Sequence, residues 1–138
     1  MKYLVDAKVL SELTKPMPDS RVVAWLRAHE REIAVDPVIL GELRFGILIL
    51  PAGRKRAALE QWFDAGVGRL HCLHWEAETG LKWAELLASL RRTGKAMPIK
   101  DSLIAATALV HSLAVVTRNG ADFANAGVPI VNPFSNHP

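Results

Sequence analysis

Short apolar runs and longer stretches with helical periodicity alternate along the chain. The apolar runs predict β-strands at residues 3–5, 33–35, 70–73, 114–117 and 129–131. Stretches whose apolar residues recur every three or four positions predict helices at residues 9–13, 20–29, 37–50, 54–65, 75–92 and 100–111. Strands that alternate with helices are typical of a parallel sheet covered by helices on both faces. The pattern therefore predicts an α/β fold with a central parallel sheet of four to five strands.

Local signals mark the boundaries of the third predicted helix. Asp36 precedes Pro37, and an aspartate at the N-cap followed by proline at the first helical position is a typical helix start. Pro51 and Gly53 interrupt the helical pattern and predict the end of this helix near residue 50. The helix is thus expected to follow the second strand directly.

The composition is that of an ordinary globular protein. The chain has 138 residues, 50% of them hydrophobic, which suits one domain spanning residues 1–138. Its net charge of +3 is compatible with a nucleic acid or an acidic partner and requires neither. Cys72 is the only cysteine, which excludes an internal disulfide and favours the cytoplasm. No apolar run approaches the roughly 18 residues that cross a bilayer, so no membrane association is expected. At the C-terminus, residues 135–138 are expected to fray.

Three aspartates follow predicted strands or begin predicted helices. Asp6 ends the first strand, Asp101 begins a helix after Pro98, and Asp122 follows the fourth strand. Each has a purely structural interpretation, because aspartate caps helix N-termini and interacts favourably with the helix dipole. Taken one at a time, these residues decide nothing about function.

Glu42 is harder to explain structurally. In its predicted helix it shares a stripe with Val38, Phe45 and Ile49, so the carboxylate is expected to project from an apolar face. Burying an unpaired charge is costly. Pairing with Arg44 or another basic group is one explanation, and a functional carboxylate is the interpretation that we favour.

Together the four carboxylates suggest a metal site. The carboxyl ends of parallel strands lie at one edge of the sheet, where such folds bind ligands, and the helix that carries Glu42 can lean over that edge. Carboxylates crowded into one cleft repel each other unless a cation neutralises them. Oxygen ligands favour Mg²⁺ or Mn²⁺. Asp6, Glu42, Asp101 and Asp122 therefore predict metal-assisted hydrolysis of a phosphodiester.

Five segments carry a specific order and spacing of motifs. They are LVDAKVLSEL, LGELRFGI, IKDSLIAATAL, VVTRNGADF and AGVPIVNPF. In this combination the chain resembles the PIN domain family over essentially its whole length, and within it the VapC and FitB-like toxins. The resemblance implies a three-layer α/β/α fold and a Mg²⁺ or Mn²⁺ site formed by Asp6, Glu42, Asp101 and Asp122. It also implies endoribonuclease activity on RNA, homodimerisation, and inhibition by a cognate VapB-like antitoxin whose C-terminal segment enters the cleft. Operator DNA would be bound only through that antitoxin.

The first motif departs from the family pattern. The family usually has Asp-Thr-Asn, whereas Ala7 and Lys8 follow Asp6 here. A hydroxyl and an amide that would orient the metal ligands are lost, and such losses commonly weaken metal binding or activity by about tenfold or more. We therefore expect Ala7 and Lys8 to lower activity. Thr117 and Asn119 match their usual polar positions and are expected to support the metal site.

A second departure precedes Glu42, where the family commonly has Ser and Thr and this chain has Asp36 and Ile39.

Lys8, in the first motif, has two interpretations. It is an ordinary surface lysine, which we favour, or its ammonium lies among the carboxylates in place of a metal.

Other functions stay open at this point. A PIN-like scaffold with an altered first motif could bind RNA, or repress DNA together with an antitoxin, without cleaving either. A nuclease of similar fold could act on DNA. A Ser/His/Asp hydrolase and a nucleotide-binding enzyme are not predicted, because the chain has neither a G-x-S-x-G motif nor a glycine-rich phosphate loop. The four tryptophans are expected to anchor the core or a dimer interface rather than to stack on RNA.

Overall fold

The computed structural model describes residues 1–135, and this part of the chain contains a parallel sheet of four strands. The strands are β1 (Tyr3–Val5), β2 (Ile33–Ala34), β3 (Ala114–Val116) and β4 (Ile130–Val131). Their spatial order is β2-β1-β3-β4, so β1 and β3 are central. The predicted α/β class and parallel sheet are confirmed. Residues 135–138 were predicted to fray. Of these, only Ser135 is among the described residues.

The fifth predicted strand, at residues 70–73, is reduced to a single bridge. Val35 pairs in parallel with Cys72. Its N–H donates to the His71 carbonyl at 2.9 Å, and its carbonyl accepts the Leu73 N–H at 2.8 Å. The strand prediction is wrong here because the neighbouring β2 is only two residues long and leaves no room for a longer ladder.

Residues 1–135 form seven α-helices. They are α1 (Ala7–Ser11), α2 (Ser20–Ala28), α3 (Pro37–Leu48), α4 (Arg54–Ala65), α5 (Ala77–Arg92), α6 (Ile99–His111) and α7 (Gly120–Phe123). The six predicted helices agree with α1 to α6 to within two residues at each end. In the part of the chain described, no helix has the length and apolar character that a membrane span needs.

The connections between strands explain the layers. Along the chain, helices α1 and α2 connect β1 to β2. Helices α3 to α6 connect β2 to β3, and this connection passes β1, which lies between those two strands in the sheet. Parallel crossovers are almost always right-handed, so two crossovers that run in opposite directions place their helices on opposite faces of the sheet. This arrangement gives the predicted three-layer α/β/α fold.

The two central strands are apolar and buried on both faces. Leu4, Val5, Val115 and Val116 have no exposed surface. Continuous apolar runs of this kind are typical of parallel strands covered by helices. The first polar side chains after these strands therefore stand where the core ends and the carboxyl edge of the sheet begins.

Candidate metal centre

Asp6 lies at the carboxyl end of β1, and its carboxylate is held from two sides. Its N–H donates to the Val116 carbonyl at 2.9 Å, which continues the β1–β3 pairing by one residue. Oδ1 accepts the Ala7 N–H at 2.8 Å, so Asp6 is the N-cap of α1. Oδ2 accepts the Thr117 hydroxyl at 2.9 Å. Asp6 thus caps a helix and also presents a fixed carboxylate at the sheet edge.

Thr117 positions Asp6 from the end of β3. The residue is completely buried, and its N–H donates to the Val131 carbonyl of β4 at 2.9 Å. Its hydroxyl oxygen accepts the Asn119 N–H at 3.0 Å, which directs the hydroxyl proton towards Asp6. Asn119 takes part through its backbone, and its side chain forms no capping hydrogen bond to α7.

Asp101 and Asp122 approach the same edge from α6 and α7. Asp101 is the third residue of α6 and is 9% exposed. Burial, with repulsion from Asp6 and Asp122, raises its pKa to about 6. Asp122 is exposed and lies in the first turn of α7, whose N-cap is Asn119. Asp6 and Asp122 are therefore each close enough to Asp101 to repel its carboxylate.

Glu42 reaches this cleft from α3, but not from an apolar stripe. Phe45 and Ile49, which were expected to share its buried face, are 64% and 66% exposed. The stripe prediction is wrong because α3 is apolar around most of its circumference, so spacing alone does not identify the buried face. The residues buried on α3 are Ile39, Leu43 and Ile47. The Glu42 side chain is only 20% exposed, and its charge raises the pKa of Asp6, although burial is the larger cause of that shift.

Lys100 is the ionic partner of Glu42, and sequence analysis missed it. Its ammonium contacts Glu42 Oε2. Arg44, the one partner that the sequence analysis named, instead has its guanidinium 3.6 Å from the Asp64 carboxylate and 5.1 Å from the centre of the Phe63 ring. The only sequence signal for Lys100 is its position directly before Asp101 at the start of a helix.

Ala7 and Lys8, the departures from the family motif, lie beside the cleft. Ala7 is buried, whereas Lys8 is exposed and forms no ion pair with another residue of the 1–135 range. This position agrees with the surface interpretation of Lys8. A separate hollow of about 160 Å³ is lined by these two residues, Ser11, Glu42, Leu43 and Gly46, so Glu42 is the one of the four carboxylates that borders it.

The four carboxylates form a donor set that suits a hard divalent cation. As the side chains stand, no three His, Cys, Asp or Glu residues between positions 1 and 135 are placed to share a metal ion. Glu42 Oε1, however, is buried and has no hydrogen-bond partner among these residues. Repulsion at Asp6 and Asp101 is also of the kind that a cation relieves. The donor chemistry fits Mg²⁺ or Mn²⁺, provided that Glu42 leaves Lys100.

Fold and site together define an α/β protein with an acidic cleft at the carboxyl edge of a parallel sheet. The model of the PIN domain family matches residues 3–129. The chain belongs to this family, as its sequence motifs predicted.

Similar proteins match between 72% and 96% of the chain. It is 34% identical over 137 residues to VapC ribonuclease Y4jK of Sinorhizobium fredii, covering 95% of this chain and 96% of the relative. The crystal structure of FitAcB from Neisseria gonorrhoeae shares 32% identity with a TM-score of 0.89, covering 96% and 98% of the two chains. VapBC-5 from Mycobacterium tuberculosis, a member of the VapBC family of toxin–antitoxin systems, shares 30% identity with a TM-score of 0.63, covering 72% and 81%.

Proposed function

We propose that the protein is an endoribonuclease, the toxin of a VapBC-type toxin–antitoxin pair, which hydrolyses RNA phosphodiester bonds with Mg²⁺ or Mn²⁺. The observation that carries this proposal is that Asp6, Glu42 and Asp122 all lie close enough to Asp101 to raise its pKa. Two similar proteins support the reaction and the role, since one is a VapC ribonuclease and another belongs to a toxin–antitoxin system.

The four carboxylates would hold the cation, and each has a distinct setting. A bound divalent cation supplies a water of lowered pKa and neutralises charge on the phosphate. Thr117 keeps one Asp6 oxygen in place through its hydroxyl. Asp101 has to be ionised to act as a ligand, so protons compete with the cation as the pH falls towards about 6.

The proposed role also implies partners. We propose a cognate VapB-like antitoxin as the inhibitor, a homodimer as the assembly, operator DNA as a target reached only through the antitoxin, and the cytoplasm as the location. The exposed apolar side chains of α3 support the homodimer, because Phe45, Leu48 and Ile49 form a neighbouring set that a monomer would leave in water.

A catalytically impaired RNA-binding or antitoxin-coupled regulatory protein is the second candidate. Two observations favour it. Ala7 and Lys8 replace polar residues of the usual motif, and Lys100 already neutralises Glu42. If Lys100 stays in place, the cleft has less need of a metal.

The first test is cleavage of a panel of structured and single-stranded RNAs by the purified protein with Mg²⁺, with Mn²⁺ and with EDTA. Asp101→Asn removes one proposed ligand, and Asp36→Asn is the matched control at a buried aspartate outside the cleft. We expect metal-dependent cleavage that falls more than about a hundredfold in Asp101→Asn, beyond the usual effect of outer-shell partners. Asp36→Asn should still cleave. Absence of cleavage together with absence of metal binding in calorimetry would favour the impaired protein.

A further inference from the structure

Lys100 lies in the acidic cleft, yet the proposed reaction gives it no role. Its ammonium contacts Glu42 Oε2, and its positive charge also acts on Asp6 and Asp101. Of the ion pairs within residues 1–135, this is the only one that includes any of the four cleft carboxylates. Lys100 therefore offsets part of the repulsion among these carboxylates.

The pair is built so that it can open. The Lys100 side chain is 51% exposed, so its ammonium can move into water without crossing the protein interior. Glu42 is much less exposed, and its other oxygen, Oε1, has no hydrogen-bond partner in the part of the chain described. The glutamate thus has unused acceptor capacity inside the cleft, while the lysine has a route out of it.

A divalent cation and the Lys100 ammonium would compete for the carboxylate of Glu42. Both are positive, so they repel each other at short distance, and this repulsion is strong where the surroundings are partly buried. Only one of the two can neutralise Glu42 well.

We propose that Lys100 and the divalent cation compete for Glu42, and that this exchange sets the metal affinity of the cleft. Without metal, the ammonium holds Glu42 and limits the repulsion among the carboxylates. With metal, Glu42 turns to the cation and Lys100 moves into solvent. The inference rests on the proposed function, because it requires a metal site, and it assigns to Lys100 a positioning role that the motif comparison does not.

Calorimetric titration of the metal-free, full-length protein with Mn²⁺ tests the exchange. Lys100→Met removes the competing charge, and Lys8→Met removes an exposed lysine that borders the same hollow as Glu42 but is not paired with it. We expect Lys100→Met to bind Mn²⁺ about fivefold to tenfold more tightly than the wild type. Lys8→Met should change the affinity by less than about twofold, because water and salt screen its charge.

The outcomes separate this inference from the proposed function. Equal or weaker Mn²⁺ binding by Lys100→Met would overturn the exchange while leaving the metal site intact. An equal gain in both variants would also overturn it, since net charge alone would then explain the effect. If neither the wild type nor Lys100→Met binds Mn²⁺, the proposed metal site fails and the exchange fails with it.

A direct observation of the ammonium is possible by NMR with diamagnetic Mg²⁺. The metal-free protein should show a hydrogen-bonded lysine ammonium signal that is missing from the Lys100→Met spectrum. We expect this signal to disappear as Mg²⁺ saturates the wild-type protein. If it persists at saturation, Lys100 does not leave Glu42 and the proposal is wrong.

Discussion

Asp6 and Asp36 have nearly the same local setting and different surroundings. Each follows a strand of the parallel sheet and caps the helix that comes next. Each also accepts a hydrogen bond from a threonine hydroxyl, which is Thr117 at 2.9 Å for Asp6 and Thr107 at 2.7 Å for Asp36. Burial is the main cause that raises the pKa of both carboxyls.

The difference lies in what else each carboxylate faces. Asp36 is fully buried, and its two oxygens accept the Ile39 N–H at 2.9 Å and the Thr107 hydroxyl. Asp6 also feels the charges of Glu42 and Lys100, which come from α3 and α6. The same short motif, an aspartate between a strand and a helix, is therefore a hydrogen-bonded core residue at Asp36 and part of the acidic cleft at Asp6. Distant residues decide which role it has.

Replacing each aspartate by alanine should separate these roles through stability. Asp36→Ala leaves the Thr107 hydroxyl and a helix N–H without their acceptor, so we expect a loss of about 2–4 kcal/mol in the free energy of unfolding. Asp6→Ala also loses a cap and leaves the Thr117 hydroxyl without its acceptor, but it removes a carboxylate that the neighbouring charges repel, so its loss should be at least about 1 kcal/mol smaller. Urea denaturation of the metal-free proteins measures both. Equal losses would contradict the distinction.

The two threonines should differ in the same way. Thr117→Val frees one oxygen of a proposed metal ligand, so metal affinity and RNA cleavage should fall by about tenfold. Thr107→Val should leave both within about twofold and lower only the stability, by about 1–2 kcal/mol. Mn²⁺ calorimetry and cleavage rates on folded samples provide the comparison. A similar loss of metal affinity in both variants would show that Thr117 acts only through stability.

The stability of the metal-free protein should depend on pH through Asp101. Its pKa is about 6 in the folded state against an ordinary value of 3.8, so between these values the folded protein binds more protons than the unfolded chain. The contribution of Asp101 to stability is therefore highest at low pH and decreases as the pH rises towards 6. We expect the melting temperature with chelator to be a few degrees higher at pH 5 than at pH 7.

Asp101→Asn is the control for this pH effect, because it removes the titrating group and leaves the histidines unchanged. The difference between pH 5 and pH 7 should shrink in this variant. Saturating Mg²⁺ should also raise the pH 7 melting temperature of the wild type. A wild-type protein that is equally stable at both pH values, or more stable at pH 7, would contradict the raised pKa that burial and repulsion give Asp101.

Restoring the usual first motif should give the smallest effect. Ala7→Thr with Lys8→Asn returns the hydroxyl and the amide directly after Asp6, at two positions that share a hollow of about 160 Å³ with Glu42. We expect metal affinity and cleavage to rise several-fold, within the range typical of groups that orient metal ligands. If both quantities stay unchanged, these two positions do not limit activity.

The sheet and the helices could be predicted because their signals are local. Apolar runs gave β1 to β4, and Asp36 with Pro37 located the start of α3. The strand at residues 70–73 could not be judged from its own sequence, because its length depends on the neighbouring β2. The local pattern of apolar residues predicts that a strand or helix forms, but it does not identify the neighbouring strand with which a strand pairs.

Contacts within the site were less predictable for the same reason. The four carboxylates were visible as residues that follow strands or lie on a helix above them. Their partners were not visible, since Lys100 is 58 positions from Glu42 and Thr107 is 71 positions from Asp36. Arg44 was a reasonable partner for Glu42 by proximity in sequence, but Asp64 lies closer to its guanidinium in the fold. Nothing in a single sequence ranks such distant pairs.

The pairing of β1 with β3 has a consequence for protein synthesis. Thr117 is 111 positions from Asp6, and Asp101 and Asp122 also belong to the last third of the chain. A nascent chain that has not yet emerged beyond β3 has Asp6 without its threonine and without the neighbouring aspartates. Pairing between such distant segments is intrinsically slow, and it cannot begin before β3 has been synthesised. The ribosome that makes this protein is therefore not exposed to a finished cleft until translation of the chain is nearly complete.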